Sequence, residues 1–237
     1  MCTVTYLPIQ NGFVLCSSRD EKPGRLANPP AVYPTDNKQF VYPQDVLSGG
    51  SWLAMSSEKR LVCLLNGAFE NHTKQSPYRM SRGKVVLDSL LMDETSFLED
   101  YRLDQIEPFT LLLLHFEEPL QFKTLVWDGS HKHIEIQDAS KPQIWSSATL
   151  YNAETRKLRT AWFEAWLQEH SAYEDRNIFD FHQTEHSLNS QINIRMKGIG
   201  LLETTSITKV VVTKPQAEWR FMDVLQNKSY DFVSRWP

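Results

Sequence analysis

Five short segments of this 237-residue chain carry residue types that do chemistry, and the first stands at its second position. Cys2, in Met1-Cys2-Thr3-Val4-Thr5, becomes the N-terminus once Met1 is trimmed. One residue then holds a thiol and a free α-amine, which titrate near about 8.5 and about 7.7–8.0. The amine is suited to take the thiol's proton near neutral pH, so nucleophile and base need no distant partner. The other segments are Ser18-Arg19-Asp20-Glu21, Gly49-Gly50-Ser51-Trp52-Leu53-Ala54, Leu65-Asn66-Gly67 and Ser81-Arg82-Gly83. A guanidinium at Arg19 beside a thiol favours the thiolate. A carboxylate at Asp20 orients an α-ammonium or shuttles its proton. The plainer reading of Arg19-Asp20 is an ion pair at a strand end. Asn66 offers an amide donor for a developing oxyanion, or serves only as the turn residue ahead of Gly67.

These residues need elements to hold them. Residues 4–9 and 13–17 read as two strands joined at Gln10-Asn11-Gly12, a strong hairpin signal. A turn centred on Asn11-Gly12 sets Cys2 against about residue 21, and so brings Arg19 and Asp20 beside it. Residues 22–43 hold Pro23, Pro29, Pro30, Pro34 and Pro43 and read as a long loop. Strands are expected over 51–55, 61–65, 108–116, 124–127, 133–136 and 143–151, and helices over 84–92 and 96–103. Residues 154–170 form the clearest helix, with Leu158, Trp162, Phe163 and Trp166 along one face. A weaker helix spans 175–188, and strands at 207–213 and 219–224 close the chain as a last hairpin. No internal repeat or linker interrupts residues 1–237, which read as one domain. Strands and helices in this order imply an α+β fold of two antiparallel sheets with helices outside.

Composition narrows the function. A net charge of -4 and a pI near 6.0 leave no electrostatic footprint for nucleic acid. The longest apolar run, residues 109–116, is too short to span a bilayer, and no secretory signal is evident. Three cysteines, Cys2, Cys16 and Cys63, lack metal-type spacing and point to a reducing cytoplasm, with Cys16 and Cys63 as core residues. His131-Lys132-His133 falls in an expected hairpin loop. His182 and His186 stand at i, i+4, a zinc-compatible spacing that lacks a third ligand, so no metal or other cofactor is expected. Trp162 and Trp166, one turn apart, should pack against a sheet from outside.

Taken together, the five segments resemble the NRDE family, which includes the transport and Golgi organisation proteins. The pattern is an initial Met-Cys-Thr strand, an Asn-Arg-Asp-Glu segment, a Gly-Gly-x-Trp-Leu strand, an Asn-Gly turn and a Ser-Arg-Gly before a helix. This resemblance implies a four-layer αββα sandwich of the N-terminal-nucleophile (Ntn) hydrolase type. In the related penicillin V acylase and bile-salt hydrolase group an N-terminal Cys attacks an amide, an Arg and an Asp assist, and Asn side chains stabilise the oxyanion. It therefore implies Cys2 as nucleophile, Arg19 and Asp20 as its assistants, Asn66 as oxyanion donor, and Trp52, Arg82 and Ser147 as substrate-binding residues. Two positions depart from the pattern: Ser18 replaces the first Asn, and Ser147, in Ser146-Ser147-Ala148, replaces a later one. The expected activity is hydrolysis of a linear C–N amide bond in a small or lipid-like substrate, through an acyl-enzyme. The alternative is a non-catalytic carrier of haem or an acyl lipid on the same fold.

Overall fold

The computed structural model of the chain describes residues 3–35, 38–170, 178–198 and 202–235. The chain opens with six strands, β1 (Thr3–Ile9), β2 (Gly12–Glu21), β3 (Ala27–Thr35), β4 (Lys38–Asp45), β5 (Leu53–Ser56) and β6 (Arg60–Asn66). Helices α1 (Arg82–Leu91) and α2 (Glu94–Asp100) follow, then β7 (Phe109–His115), β8 (Gln121–Trp127), β9 (Lys132–Ile136) and β10 (Gln143–Ser146). Helices α3 (Ala153–Glu169) and α4 (Ile178–Gln183) precede β11 (Glu203–Thr213), β12 (Gln216–Asp223) and β13 (Lys228–Arg235). Contacts divide the chain into two compact units, one of Met1–Leu26 with Ser140–Pro237 and one of Ala27–Ala139.

The first unit is a six-stranded sheet in the order β10-β1-β2-β11-β12-β13, every neighbour antiparallel. Its β1–β2 hairpin turns one residue earlier than the sequence suggests. Asn11 takes the left-handed conformation (φ 65°), and Ile9 pairs with Gly12. Asparagine tolerates that region by bonding its own backbone, so Gly12 is free to start the strand. The pairing consequently shifts by two, and Thr3 lies opposite Ser18. Helix α3 is capped by Asn152, whose Oδ1 accepts from the Thr155 N–H at 2.9 Å. Its buried face is Arg159, Phe163 and Trp166, spaced i, i+4, i+7. Leu158, expected on that face, is instead exposed. Phe163 and Trp166 pack with Leu7, Val14, Cys16, Ile207 and the α4 residues Ile178, Phe179 and Phe181 in one cluster, which Trp162 flanks. The helix expected over 175–188 is shorter, Ile178–Gln183, with residues 171–177 outside the described set. The closing hairpin gains a third strand, β13, which the exposed alternation of an outer edge made hard to read.

The second unit is a seven-stranded antiparallel sheet in the order β3-β4-β5-β6-β7-β8-β9. The segment expected as a long loop is largely β3 and β4. Prolines mislead here because β3 is an outer strand, where missing N–H groups cost no ladder bond, and the register slips between Asn28 and Ala31 to pass Pro29 and Pro30. Helix α1 buries Val85, Val86, Ser89 and Leu90 against β5 and β6, whereas Leu91 faces outward. Arg60, at the start of β6, ties down the other end of that helix by donating to the carbonyls of Met92 (2.6 Å) and Ser89. Asp93 caps α2 through the Ser96 N–H at 2.9 Å. The α+β class with two antiparallel sheets stands as expected. No helix among the described residues is long and apolar enough to cross a membrane.

Candidate active site

Cys2 lies outside the described residues, so the site is built from what holds the chain next to it. Thr3 is fully buried at the head of β1, opposite Ser18 on β2 and Ser146 on β10. Thr3, Thr5 and Ser18 share one face of the sheet by strand alternation and pairing. Two buried side chains from the helices meet that face. Arg159 donates to Thr3 Oγ1 and to the backbone carbonyls of Ile192 (3.0 Å) and Asn193. His182 spans Thr5 Oγ1 (2.9 Å, through Nε2) and Ser18 Oγ (2.8 Å, through Nδ1). Burial pushes the His182 imidazole down to about 3, with Arg159 and His186 acting in the same direction. It is therefore neutral at physiological pH, one nitrogen donating and the other accepting. Ser18, a departure from the family pattern, thus holds a histidine.

Asp20, 4% exposed, accepts from the Tyr151 hydroxyl at Oδ2 (2.7 Å) and from the Thr204 hydroxyl at Oδ1 (2.6 Å). The Tyr151 ring in turn lies 3.4 Å beneath the Arg159 guanidinium, a cation–π contact out of water. Asp20, Tyr151, Arg159 and Thr3 thereby form one chain of contacts. Arg19 takes different partners: its Nη1 donates to Arg25 O and to Thr205 Oγ1, both at 2.9 Å. Thr205 is available because the β2–β11 register slips there. Ser17 stands two residues from Arg19 on β2, opposite Thr208, and Ser206 is opposite Arg19. These three hydroxyls are buried without a hydrogen-bond partner among the described residues. Ser147 is buried as well, its hydroxyl 2.9 Å from Thr149 Oγ1 and its carbonyl accepting from the Tyr151 N–H at 3.1 Å.

The remaining expected residues belong to the second unit. Asn66 ends β6 opposite Phe109, and Gly67 follows with φ 86°, a conformation open to glycine. The Gly67 N–H and Arg82 Nη1 both donate to Pro108 O, at 3.0 and 3.1 Å. Arg82 Nη2 also meets Glu107 at 3.0 Å. Trp52 is buried beside Ser51, whose hydroxyl donates to the carbonyls of Pro43 (2.6 Å) and Leu53 (2.8 Å). The Gly-Gly and Ser-Arg-Gly segments meet at backbone level. A Cβ on Gly50 would stand 2.7 Å from the Gly83 carbonyl carbon. These glycines let the head of α1 press onto the loop before β5.

A cavity of about 530 Å³ opens on the helices of the first unit, floored by Trp162, Trp166 and Phe181 and rimmed by Glu169, His170, Asp180 and His186. Among the described residues no group of His, Cys, Asp or Glu has metal-binding geometry, and both His182 nitrogens are already engaged. Arg159, His182, Tyr151 and Thr204 were not singled out from the sequence for this site. Arg159 could have been, as the one cation on the buried i, i+4, i+7 face of α3.

With this geometry in hand, comparison assigns the family. The sequence profile described as Transport and Golgi organisation 2 matches residues 1–223. The chain belongs to that family. No curated protein matches it in sequence. Among solved structures this family member resembles a cysteine-to-alanine variant of conjugated bile acid hydrolase from Clostridium perfringens (TM-score 0.61, 7% identity, 100% of this chain and 97% of that one). An arginine-to-leucine variant of the same enzyme gives 0.60 at 8% identity over 99% and 96%. The Caenorhabditis elegans N-acylethanolamine-hydrolyzing acid amidase ortholog gives 0.52 at 9% over 89% and 92%. At such identities the likeness speaks for the fold, that of the Ntn hydrolases.

Proposed function

We propose that this protein is an N-terminal cysteine hydrolase of a linear C–N amide bond in a small or lipid-like substrate. The observation that carries this reading is the buried polar chain from Asp20 through Tyr151 and Arg159 to Thr3, the residue that follows Cys2. Buried charges are costly unless held in place, so such a cluster at a strand head is a mark of a working site. The fold shared with two amide hydrolases supports the same reading. In it, Met1 is removed and the Cys2 α-amine takes the Sγ proton. The sulfur adds to the amide carbonyl, and Asn66 donates to the oxyanion. The amine leaving group departs with that proton as the C–N bond breaks, leaving a thioester on Sγ. Water, deprotonated by the α-amine, then releases the acid and restores the thiol. Arg19 favours the thiolate, Asp20 orients the α-ammonium, and Trp52, Arg82 and Ser147 contact the substrate. The buried cysteines Cys16 and Cys63 suit a reducing, cytoplasmic setting, and the net charge of -4 argues against nucleic acid as a partner.

The test needs no substrate. Intact mass should show loss of Met1, and iodoacetamide should alkylate Cys2 far faster than Cys16 or Cys63. Burial pushes the Cys63 thiol up to about 12, which keeps it an unreactive reference. Tyr151→Phe removes the hydroxyl that holds Asp20 and keeps the ring beneath Arg159. It should slow Cys2 alkylation by about three- to tenfold, the worth of one hydrogen bond of roughly 1 kcal/mol. Retained Met1, or equal rates at the three cysteines, would overturn the proposal.

A further inference from the structure

We infer that the cavity on α3 and α4 is a second ligand site, one that takes an organic ammonium ion. The argument begins with charge. Glu169 and Asp180 stand at its rim, both exposed, and none of the described residues that line it is a lysine or arginine. The C-terminus of the 17-residue helix α3 lies at the same rim, and the negative end of a helix dipole also favours a cation. Two imidazoles line the same rim. His170 donates from Nδ1 to Trp166 O at 2.9 Å, and His186 from Nε2 to Phe181 O at 3.4 Å. The neutral His186 ring therefore offers its other nitrogen as a lone-pair acceptor. His186 is held below the usual imidazole range, chiefly by burial, and so stays neutral at pH 7.

The floor sets the rest of the ligand. Trp162 stacks on His186 with centroids 5.1 Å apart, and Phe181 tilts against the same imidazole at 4.9 Å. This aromatic surface suits an apolar body attached to the charge, and cation–π attraction adds to the carboxylates. A volume of about 530 Å³ accommodates an aralkylamine and falls within the usual range for small-molecule sites. A haem propionate or a fatty acid carboxylate would instead meet Glu169 and Asp180. The alternative role of carrier for such anions therefore finds no support at this cavity. The inference stands apart from Cys2 and does not depend on the proposed hydrolysis.

Calorimetric titration with three probes of matched size tests it: 2-phenylethylammonium, neutral 3-phenylpropanol and anionic 3-phenylpropanoate. The ammonium should bind saturably, and at least about tenfold more tightly than either of the others, the worth of one charge-assisted contact of roughly 1.4 kcal/mol. Glu169→Gln with Asp180→Asn, both at exposed positions, should abolish that preference while the circular dichroism spectrum and thermal midpoint stay unchanged. Cys2→Ala should leave it intact. Equal binding of the three probes, no saturable binding of the amine, or a double variant that keeps the preference would each overturn the inference.

Discussion

The two sheets of this molecule solve burial in opposite ways. In the second unit the neighbouring strands β6 and β7 are nearly all aliphatic, with Leu61 to Leu65 paired against Leu114 to Thr110. In the first unit the corresponding depth on β1 and β2 holds Thr3, Thr5, Ser17, Ser18, Arg19 and Asp20, every one of them buried. An aliphatic sheet gains stability from each residue it hides, whereas a polar one must satisfy each group it hides. The first unit does so with side chains far away in sequence, Arg159, His182 and Thr204, and leaves three hydroxyls without a partner among the described residues. Under the proposed hydrolase reading, that asymmetry separates a scaffold from a site.

Acid should expose the difference most. Folded His182 is neutral down to about 3, while its unfolded form binds a proton near 6.5, so the unfolded state holds more protons between those values. Stability is then complete above pH 6.5 and falls as pH drops toward 3, with no further loss from this group below that. At about 1.4 kcal/mol per pH unit the loss is of order 5 kcal/mol. Urea denaturation across this range should show it, and His182→Asn should flatten the curve; an equally steep curve in the variant would place the acid sensitivity elsewhere. Next comes Leu111→Ala in β7, which leaves a cavity between Leu64 and Leu125 and should cost about 3 kcal/mol. Its alkylation rate at Cys2 should match the parent protein's, and a slower rate would mean that the aliphatic unit also tunes the thiol. The smallest effect should have the opposite sign. Thr208→Val keeps the shape and deletes a hydroxyl that has no partner among the described residues, so thermal unfolding should show a gain of up to about 1 kcal/mol. A loss would reveal that the hydroxyl has a partner in solution.

What the sequence disclosed follows the range of the interactions involved. The β1–β2 hairpin, the aliphatic strands and the short motifs are local, and period, turn residues and caps report them directly. The Gly50–Gly83 contact explains why two of those motifs occur in one chain. Residues that act across the fold left weaker traces. Tyr151 and Asp20 are 131 positions apart, and Ser18 and His182 are 164, separations that no local pattern records. The pairing of β1 with β2 moved by two residues because Asn11, not Gly12, turned the corner. The edge strands β3 and β13 were missed for a related reason. An outer strand is bound on one side only, so its sequence need not look like that of a strand.

The prolines of β3 bear on how these molecules treat one another. Pro29, Pro30 and Pro34 lie along a border of the seven-stranded sheet, where each removes a donor that a neighbouring molecule's strand could have used. An arriving strand finds an interrupted row and a kink at Asn28–Ala31, and it cannot extend the sheet in register. The stretch that reads as a loop thus makes a poor template for a further strand. The opposite border, β9, carries no proline and leaves Ile134 and Ile136 open to water.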